Sequence, residues 1–342
     1  MPSSFIQPAL AELAQGRNLS AAHAQGVFEE LLTGEADPAQ VGALLALLER
    51  NGVHADELVG GALSMRKHVT EVPLSETVRA TAIDTCGTGG APKLFNVSTL
   101  AAIVAAAAGA KVVKHGNRSR TGRGSAEIMQ ALGVQVEAPP EVQARCVEQA
   151  GLCFCFAIHH HPATRAVAPV RRALGFPTIF NLLGPLTNPG RATRQLLGVS
   201  RSEHVRLVAE ALSRLGCVRA MVVHSVDGYD ELSTTGSNLA AHVDGNSVRT
   251  VTIDPQQFGL DRADRASLQA DSLEEAVAVA QAVIRGEPGP KLDIVLFNAG
   301  AALHVAGMAD NVRDGVERAR QAVAGGAAIR TLEALRTASH GK

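Results

Sequence analysis

A glycine-rich turn follows the first strand that the sequence predicts. The strand covers residues 82–85, the turn reads DTCGTGG over residues 84–90, and NVST follows at residues 96–99. Glycines let backbone N–H groups approach an anion, and a helix that begins behind the turn adds partial positive charge. The pattern is compatible with a phosphate site, with a metal ligand at Ser98 or Thr99, and with a tight turn that has a serine cap. The pattern is not that of a nucleoside-triphosphate or dinucleotide site.

A basic segment, KHGNRSRTGRGS, covers residues 114–125 after the next predicted strand. It holds four cations, several hydroxyls and three glycines, and the cations are Lys114, Arg118, Arg120 and Arg123. A solvated basic loop is the alternative. Lysine and arginine beside flexible backbone at a strand end favour a highly charged phosphate ligand.

Three histidines at residues 159–161 precede Arg171 and Arg172. Histidines suggest zinc, and Cys153 and Cys155 lie nearby in the sequence, but structural zinc sites usually pair ligands as CxxC or HxxxH. The spacing of the two cysteines fits one face of a strand. The arginines can bind a carboxylate in bidentate fashion or can be surface charge.

An acidic turn, DGYDE at residues 227–231, follows another apolar strand. Adjacent carboxylates at a strand end suit Mg²⁺, which binds few protein oxygens and keeps water and phosphate ligands. A plain turn with solvated acids is the alternative.

Alternating strands and helices after about residue 80 would position these segments. The predicted strands are 82–85, 111–114, 134–136, 153–157, 196–199 and 219–224, with a hairpin of 239–243 and 247–253 around Asp244-Gly245. The predicted helices are 98–109, 125–132, 140–150, 202–215 and 273–285, the last with a capping box from Ser272 to Glu275. This order predicts an α/β fold with a mostly parallel central sheet flanked by helices, whose ligands bind at the carboxyl ends of strands.

The first 70 residues predict three short amphipathic helices. Ser20 caps the first, Asp37-Pro38 begins the second, and the third covers residues 56–68. Residues 71–80 have the composition of a linker. We therefore expect a small helical domain at 1–75 and a larger α/β domain at 76–342.

Composition limits the classes of protein. The chain has 342 residues, 46% of them hydrophobic, and a net charge of −1. A general nucleic-acid binder would be more basic, and aromatic residues at 3% leave little for base stacking. No apolar run is long enough for a membrane span, no signal peptide is evident, and five irregularly spaced cysteines favour reduced thiols in the cytoplasm.

Taken together, these segments resemble the anthranilate phosphoribosyltransferases. The matching segments are GTGG at 87–90, NVST at 96–99, KHGNRS at 114–119, HHPATRAVAPVRRALGFPTIFNLLGPLTNP at 160–189, DGYDELS at 227–233 and LDIVLFNAGAALHVAG at 292–307. The resemblance implies a dimer formed through the small helical domain, with a helix around 165–185 joining that domain in space. It implies transfer of phosphoribosyl from phosphoribosyl diphosphate to anthranilate in tryptophan biosynthesis, without a covalent nucleophile.

The resemblance also implies roles for individual residues. Those that would hold phosphoribosyl diphosphate are Gly87, Thr88, Gly89, Gly90, Asn96, Ser98, Thr99, Lys114 and Ser119. Those that would bind anthranilate are Gly87, His115, Asn117, His161 and Arg171, with Arg171 on the carboxylate. Two Mg²⁺ ions per monomer would be held by Ser98, Asp230 and Glu231.

Two loops depart from the family pattern. Ala91 stands where the family has Asp, before Pro92 and Lys93, and RTGRGSAE after KHGNRS is shorter and more basic than usual. We expect activity to be retained with altered phosphate and metal contacts, and Lys93 to add a phosphate contact. Thr164 stands at a varied position of the acceptor channel, so acceptor preference can differ.

Two alternatives compete with this interpretation. A pyrimidine-nucleoside phosphorylase resembles the same fold but lacks the KHGN and LGPLTNP segments. A non-catalytic nucleic-acid-binding relative would have a basic chain and eroded metal-binding acids, whereas this chain keeps Asp230 and Glu231.

Overall fold

The computed structural model describes residues 4–92, 94–119 and 122–341. The expected phosphate contact of Lys93, and the cation of Arg120 in the basic segment, lie outside the described residues. Within the described residues, the structure is an α/β fold preceded by a bundle of short helices, as the sequence predicts.

Four helices, rather than the predicted three, occupy the first 70 residues. They are α1 (Ile6–Ala14), α2 (Ala21–Thr33), α3 (Pro38–Asn51) and α4 (Ala55–Lys67). Ser20 and Asp37 cap α2 and α3 as predicted, because their side chains accept N–H groups of the first helical turns. The sequence prediction missed α1, which has no side-chain cap and is held by its buried face.

The segment predicted as a linker contains a short helix, α5 (Glu76–Thr81). Ser75 begins it, because the Ser75 side chain accepts the N–H of Val78. None of its residues is buried, so the helix lacks the apolar stripe from which a helix is usually predicted.

The central sheet has seven strands among the described residues. They are β1 (Ile83–Gly87), β2 (Val112–Gly116), β3 (Leu152–Phe156), β4 (Arg194–Gly198), β5 (Arg219–Ser225), β6 (Asn238–Asp244) and β7 (Ser247–Ile253). Their order in the sheet is β3-β2-β1-β4-β5-β6-β7. The first five are parallel, and β6 and β7 form the predicted antiparallel hairpin. Every predicted strand except one is confirmed to within two residues.

The exception is residues 134–136, where the strand prediction was wrong. The backbone N–H of Gln135 donates to the Ser339 side chain at 3.0 Å instead of joining the sheet. Val134 and Val136 are buried, so their alternation reflects packing of a loop rather than a strand.

Helices cover both faces of the sheet. The predicted ones are α6 (Val97–Ala107), α7 (Ser125–Ala131), α8 (Pro140–Ala150), α12 (Glu203–Arg214) and α13 (Leu273–Ile284), and the others are α9 (Ala157–His160), α10 (Ala168–Leu174), α11 (Ile179–Leu183), α14 (Pro290–Ala306), α15 (Val312–Ala324) and α16 (Ala327–Ser339). Helix α14 was not predicted, because it is apolar nearly all round and shows no amphipathic period.

Only half of the capping box predicted at α13 forms. The Ser272 hydroxyl accepts the N–H of Glu275 at 3.0 Å. The Glu275 carboxylate accepts the N–H of Asp271 rather than that of Ser272, at 2.7 Å.

Two apolar clusters lie on opposite sides of the sheet. One joins α6 and α14 to the sheet, and the other joins α12 to the N-terminal helices and to α11. The rings of Phe28 in α2 and Phe180 in α11 meet edge to face, 5.6 Å apart. The segment around 165–185 therefore packs on the N-terminal helices, while the domain boundary at residue 75 stays a prediction.

The chain reverses direction across the sheet at β1. From β1 it proceeds to β2 and β3 on one side and then returns to β4 on the other. In open α/β sheets such a point leaves a crevice at the carboxyl ends of the strands, where ligands bind. No helix in the described part of the chain has the length and apolarity that crossing a membrane requires.

Candidate active site

The glycine turn leaves β1 at this crevice. The N–H of Thr88 donates to the carbonyl of Gly198 at 2.9 Å, and the N–H of Ser200 donates to the Thr88 hydroxyl at 3.3 Å. Gly89 and Gly90 have φ angles of 67° and 86°, in the left-handed region that glycine adopts without strain. The turn is thereby held against the end of β4.

The acidic turn packs directly on the glycine turn. The N–H of Gly89 donates to Asp230 Oδ2 at 3.1 Å. A Cβ at Gly87 would lie 2.6 Å from Asp230 Oδ2, and one at Gly198 would lie 1.6 Å from the Asp230 carbonyl oxygen. Any side chain at Gly87 or Gly198 would therefore clash with Asp230. The ends of β1 and β4 thus fix the position of Asp230, which itself follows β5.

The N-terminus of α6 faces the other member of the acidic pair. The N–H of Ser98 donates to Glu231 Oε1 at 3.1 Å. Asn96 has a φ of 64°, and Asn96 Oδ1 and Thr99 Oγ1 are buried without a hydrogen-bond partner within the described parts of the chain. Buried polar atoms are almost always paired, so these two fit a polar ligand at the helix N-terminus.

Lys114 reaches this group from β2. Its side chain is 1% exposed, and Nζ donates to the Thr85 carbonyl at 2.5 Å and lies 3.5 Å from Ser98 Oγ. Burial lowers the pKa of Lys114, and the carboxylate of Asp84 is the strongest of the groups that oppose this shift. The Lys114 amino group is thus held beside the α6 N-terminus, where a bound phosphate would meet both.

The surroundings of Glu231 disfavour the charged form of its carboxylate. Burial, and then the charge of Asp230, raise the pKa of Glu231 to about 8. Within residues 4–92, 94–119 and 122–341, no group of three or more His, Cys, Asp or Glu side chains forms a metal site. Two carboxylates with a nearby hydroxyl nevertheless fit Mg²⁺, which takes few protein ligands and shares phosphate oxygens.

A cavity of about 240 Å³ opens beside the turn at the end of β2; we call it the acceptor cavity. Its walls include all five residues expected to bind anthranilate, namely Gly87, His115, Asn117, His161 and Arg171. Thr164, the expected point of variation, lines it as well. Tertiary structure thus brings together residues from β1, β2 and the segment after β3.

Two histidines in the acceptor cavity contact each other. Their Nε2 atoms, in His115 and His161, lie 3.2 Å apart. Burial, and then the neighbouring His160, lower the pKa of His161 to about 4, and burial lowers the pKa of His115 well below its ordinary value. Both rings are neutral at pH 7, so one can donate a hydrogen bond and the other accept it.

The other two histidines of the 159–161 run do not line this cavity. His159 is exposed, and His160 Nδ1 lies 2.6 Å from the Thr70 carbonyl oxygen. Cys153 and Cys155 lie on one face of β3 as predicted, with their sulfurs 3.8 Å apart and buried.

Arg171 forms the outer wall of the acceptor cavity. Its guanidinium carbon lies 4.9 Å from the centroid of the Phe180 ring. Arg172 is exposed and is not among the lining residues. Of these two adjacent arginines, Arg171 is the one that lines the cavity, in keeping with the role that the resemblance implies for it.

The described part of the basic segment contacts its own surroundings. Ser119 Oγ accepts the N–H of Arg123 at 3.0 Å, and the Arg123 guanidinium donates to the Ala270 carbonyl. The Arg118 guanidinium lies 5.5 Å from the centroid of the Phe156 ring. The phosphate role of Ser119 stays a prediction.

Two buried polar residues behind the site were not predicted. Asp84 Oδ1 accepts the N–H of His115 at 3.1 Å, and Gln195 Nε2 donates to the Pro185 carbonyl at 2.7 Å and lies 3.4 Å from Asp84 Oδ2. They connect β1, β2 and β4 to the wall of the acceptor cavity. A polar residue within an apolar strand is the signal that can find such positions, because a buried polar group needs a partner.

The chain matches two family models. One is described as "Glycosyl transferase family, helical bundle domain" and matches residues 7–69, and the other as "Glycosyl transferase family, a/b domain" and matches residues 79–329.

The chain also resembles individual proteins over nearly its whole length. It is 45% identical over 332 residues to an anthranilate phosphoribosyltransferase of Rubrobacter xylanophilus, covering 96% of each chain. The crystal structure of anthranilate phosphoribosyltransferase from Thermus thermophilus matches with a TM-score of 0.92 and 39% identity, over 99% of this chain and 100% of that one. The Saccharomyces cerevisiae enzyme, solved in complex with PRPP and Mg, shares the fold with a TM-score of 0.89, 24% identity and coverage of 98% of each chain.

Proposed function

The chain belongs to the anthranilate phosphoribosyltransferases, and on this premise we propose that it transfers the phosphoribosyl group of phosphoribosyl diphosphate to the amine of anthranilate. The products are N-(5-phosphoribosyl)anthranilate and diphosphate, and the reaction is a step of tryptophan biosynthesis. One observation carries the proposal: the glycine turn both contacts the half-buried acidic pair and lines the acceptor cavity, whose other walls include arginine and histidine.

Phosphoribosyl diphosphate would bind across the glycine turn and the N-terminus of α6. Support comes from the buried Lys114 side chain and from the oxygens of Asn96 and Thr99 at that helix end, which have no partner within the described residues. Helix N-termini bind phosphates through free N–H groups and the helix dipole. The full set proposed for this substrate is Gly87, Thr88, Gly89, Gly90, Asn96, Ser98, Thr99, Lys114 and Ser119.

Ser98, Asp230 and Glu231 would hold magnesium, and we propose two ions per monomer. Burial, and then the charge of Asp230, raise the pKa of Glu231, and a divalent cation would stabilise the charged form of both carboxylates. When bound, magnesium neutralises charge on the diphosphate as it departs.

Anthranilate would enter the acceptor cavity with its carboxylate on Arg171. The planar guanidinium of Arg171 suits bidentate binding of a carboxylate, and its contact with the Phe180 ring restricts its position. Neutral His115 and His161, together with Asn117, offer hydrogen bonds without adding a charge that competes for the carboxylate.

The proposed reaction breaks the bond between ribose C1 and the diphosphate oxygen and forms a bond between C1 and the anthranilate nitrogen, which loses one proton. Lys114 and the backbone donors stabilise negative charge on the departing diphosphate. The acceptor cavity positions the amine against C1, which replaces a bimolecular encounter by an oriented one. No side chain need form a covalent bond to the substrate.

The test is the decay of anthranilate fluorescence with phosphoribosyl diphosphate and Mg²⁺. We expect turnover by the intact chain, and loss of Mg²⁺-dependent turnover in Glu231→Ala because the carboxylate pair is broken. Glu210→Ala, which removes an exposed glutamate of α12, is the matched control and should remain active. Full activity of Glu231→Ala would refute the metal assignment, and an inactive intact chain would refute the function.

We further propose a homodimer in the cytoplasm, formed through the helical domain at residues 1–75. Phe5 and Leu63 of that domain are large apolar side chains left 46% and 38% exposed. All five cysteines are free and buried, as in proteins of reducing compartments. Light scattering of the intact chain and of Leu63→Glu tests the dimer; equal masses for the two at the dimer value would place the interface elsewhere.

A further inference from the structure

A second cavity, of about 190 Å³, also borders the glycine turn, through Thr88, Gly89 and Gly90; we call it the rear cavity. Its walls come from the end of α3, the glycine turn, the segment at 177–182, the turn after β4 and the start of α12. It shares only Thr88 and Asn181 with the acceptor cavity. A space of this order admits a small molecule rather than a single water.

Two polar atoms at the rear cavity have no hydrogen-bond partner among the residues that the structure describes. They are Thr178 Oγ1, on a residue only 3% exposed, and Nδ1 of His204. Burial lowers the pKa of His204, so its ring is neutral at pH 7 and one ring nitrogen is free to accept a hydrogen bond. Buried polar atoms of a native protein are rarely left unpaired, so these two can take hydrogen bonds from a molecule in the cavity.

The remaining walls define the chemistry of that ligand. Arg201 and Glu49 form an ion pair at 3.0 Å, with side chains 46% and 27% exposed, so a cation and an anion stand together at the cavity. Pro177, Ile179 and Leu182 form an apolar wall. With His204 neutral, the charges at the rear cavity sum to zero.

We propose that the rear cavity binds an α-amino acid with an apolar side chain. Its ammonium group would donate to the acceptors at Glu49, Thr178 and His204, and its carboxylate would bind Arg201. The side chain would lie on the apolar wall. A free anion is disfavoured because Glu49 already neutralises Arg201, and a free cation is disfavoured by Arg201 itself.

Occupancy would reach the substrate site through the glycine turn. Thr88, Gly89 and Gly90 line the rear cavity, and the N–H of Gly89 bonds to Asp230. A bound amino acid should therefore change the KM for phosphoribosyl diphosphate, and this consequence, unlike the binding itself, rests on the proposed function. Binding is measured without substrates, so that a failure of the binding proposal can be distinguished from a failure of the proposed function.

Calorimetry of the intact chain with L-phenylalanine and L-leucine tests the binding. We expect saturable binding, weakened at least tenfold when phenethylamine or 3-phenylpropionate replaces L-phenylalanine, because each lacks one of the two charged groups. Glu49→Gln and Thr178→Val should each weaken it at least tenfold. Glu210→Gln is the matched control, since it breaks an exposed ion pair on α12 outside the cavity.

Each possible result of these experiments either supports or overturns the proposal. Absence of binding at 10 mM of either amino acid, or binding that Glu49→Gln and Thr178→Val leave unchanged, overturns the proposal. Crystals soaked in L-phenylalanine give an independent answer even where a variant fails to fold: density in the rear cavity supports the proposal, and density only in the acceptor cavity overturns it. Binding that leaves the KM for phosphoribosyl diphosphate unchanged overturns the coupling.

Discussion

Protonation of His161 should destabilise the folded chain at mildly acidic pH. His161 is 6% exposed in the acceptor cavity, and its pKa of about 4 lies below the ordinary histidine value of 6.5. Between about pH 4 and pH 6.5, this histidine therefore binds more protons in the unfolded chain than in the folded chain. Stability contributed by the neutral ring is fully present above pH 6.5 and is lost as the pH falls toward 4.

The magnitude follows from the difference between the two pKa values. A shift from 6.5 to about 4 corresponds to about 3 kcal/mol once the pH is below both values. At pH 5 the loss is about 2 kcal/mol, since the folded ring is still mostly neutral there while the unfolded ring is protonated. At pH 7.5 the loss is close to zero.

Urea unfolding at pH 7.5 and pH 5 measures this loss. Other buried groups also titrate, so the relevant quantity is the difference between the intact chain and His161→Gln in how much stability each loses on acidification. We expect the intact chain to lose about 2 kcal/mol more than the variant. Thr164→Val, which lines the same cavity without a titratable group, should match the intact chain. Equal losses for the intact chain and His161→Gln would show that burial does not set the protonation of this ring.

Three further substitutions test the geometry of the site. Gly198→Ala should abolish turnover, measured by anthranilate fluorescence, because its Cβ would lie 1.6 Å from the Asp230 carbonyl oxygen; wild-type turnover would contradict the packing. Arg171→Ala should raise the KM for anthranilate at least tenfold more than that for phosphoribosyl diphosphate, and equal changes in steady-state kinetics would exclude a carboxylate contact. Gln195→Leu should raise the KM for anthranilate severalfold, because the Pro185 carbonyl loses its donor, and an unchanged value would remove Gln195 as a positioning residue.

Local signals account for the elements that the sequence predicted well. Ser20, Asp37 and Ser272 cap helices through bonds to N–H groups two or three residues away, so the information lies within one turn. Short apolar runs between glycines likewise locate the parallel strands. Two of the failures, helix α14 and the strand at 134–136, are segments whose burial comes from neighbours far along the chain, which no local period reports.

The residue types at the ends of the strands can be read from the amino acids alone: the glycine turn, the lysine after β2's apolar residues, the paired acids and the histidine run. The motifs likewise identify the family. The residue types and the motifs depend on side-chain identity and on spacing within a few residues, so they can be recognised without knowledge of the fold.

Which of these residues meet depends on how the chain folds. Gly89 reaches Asp230 across 141 residues of chain, and Ser98 reaches Glu231 across 133. These contacts form because parallel strands bring distant segments of the chain to one edge of a sheet. Which strands become neighbours depends on the packing of the whole core. The same packing brought Asp84 into hydrogen-bond contact with the His115 backbone and enclosed the rear cavity among segments that lie far apart in the chain.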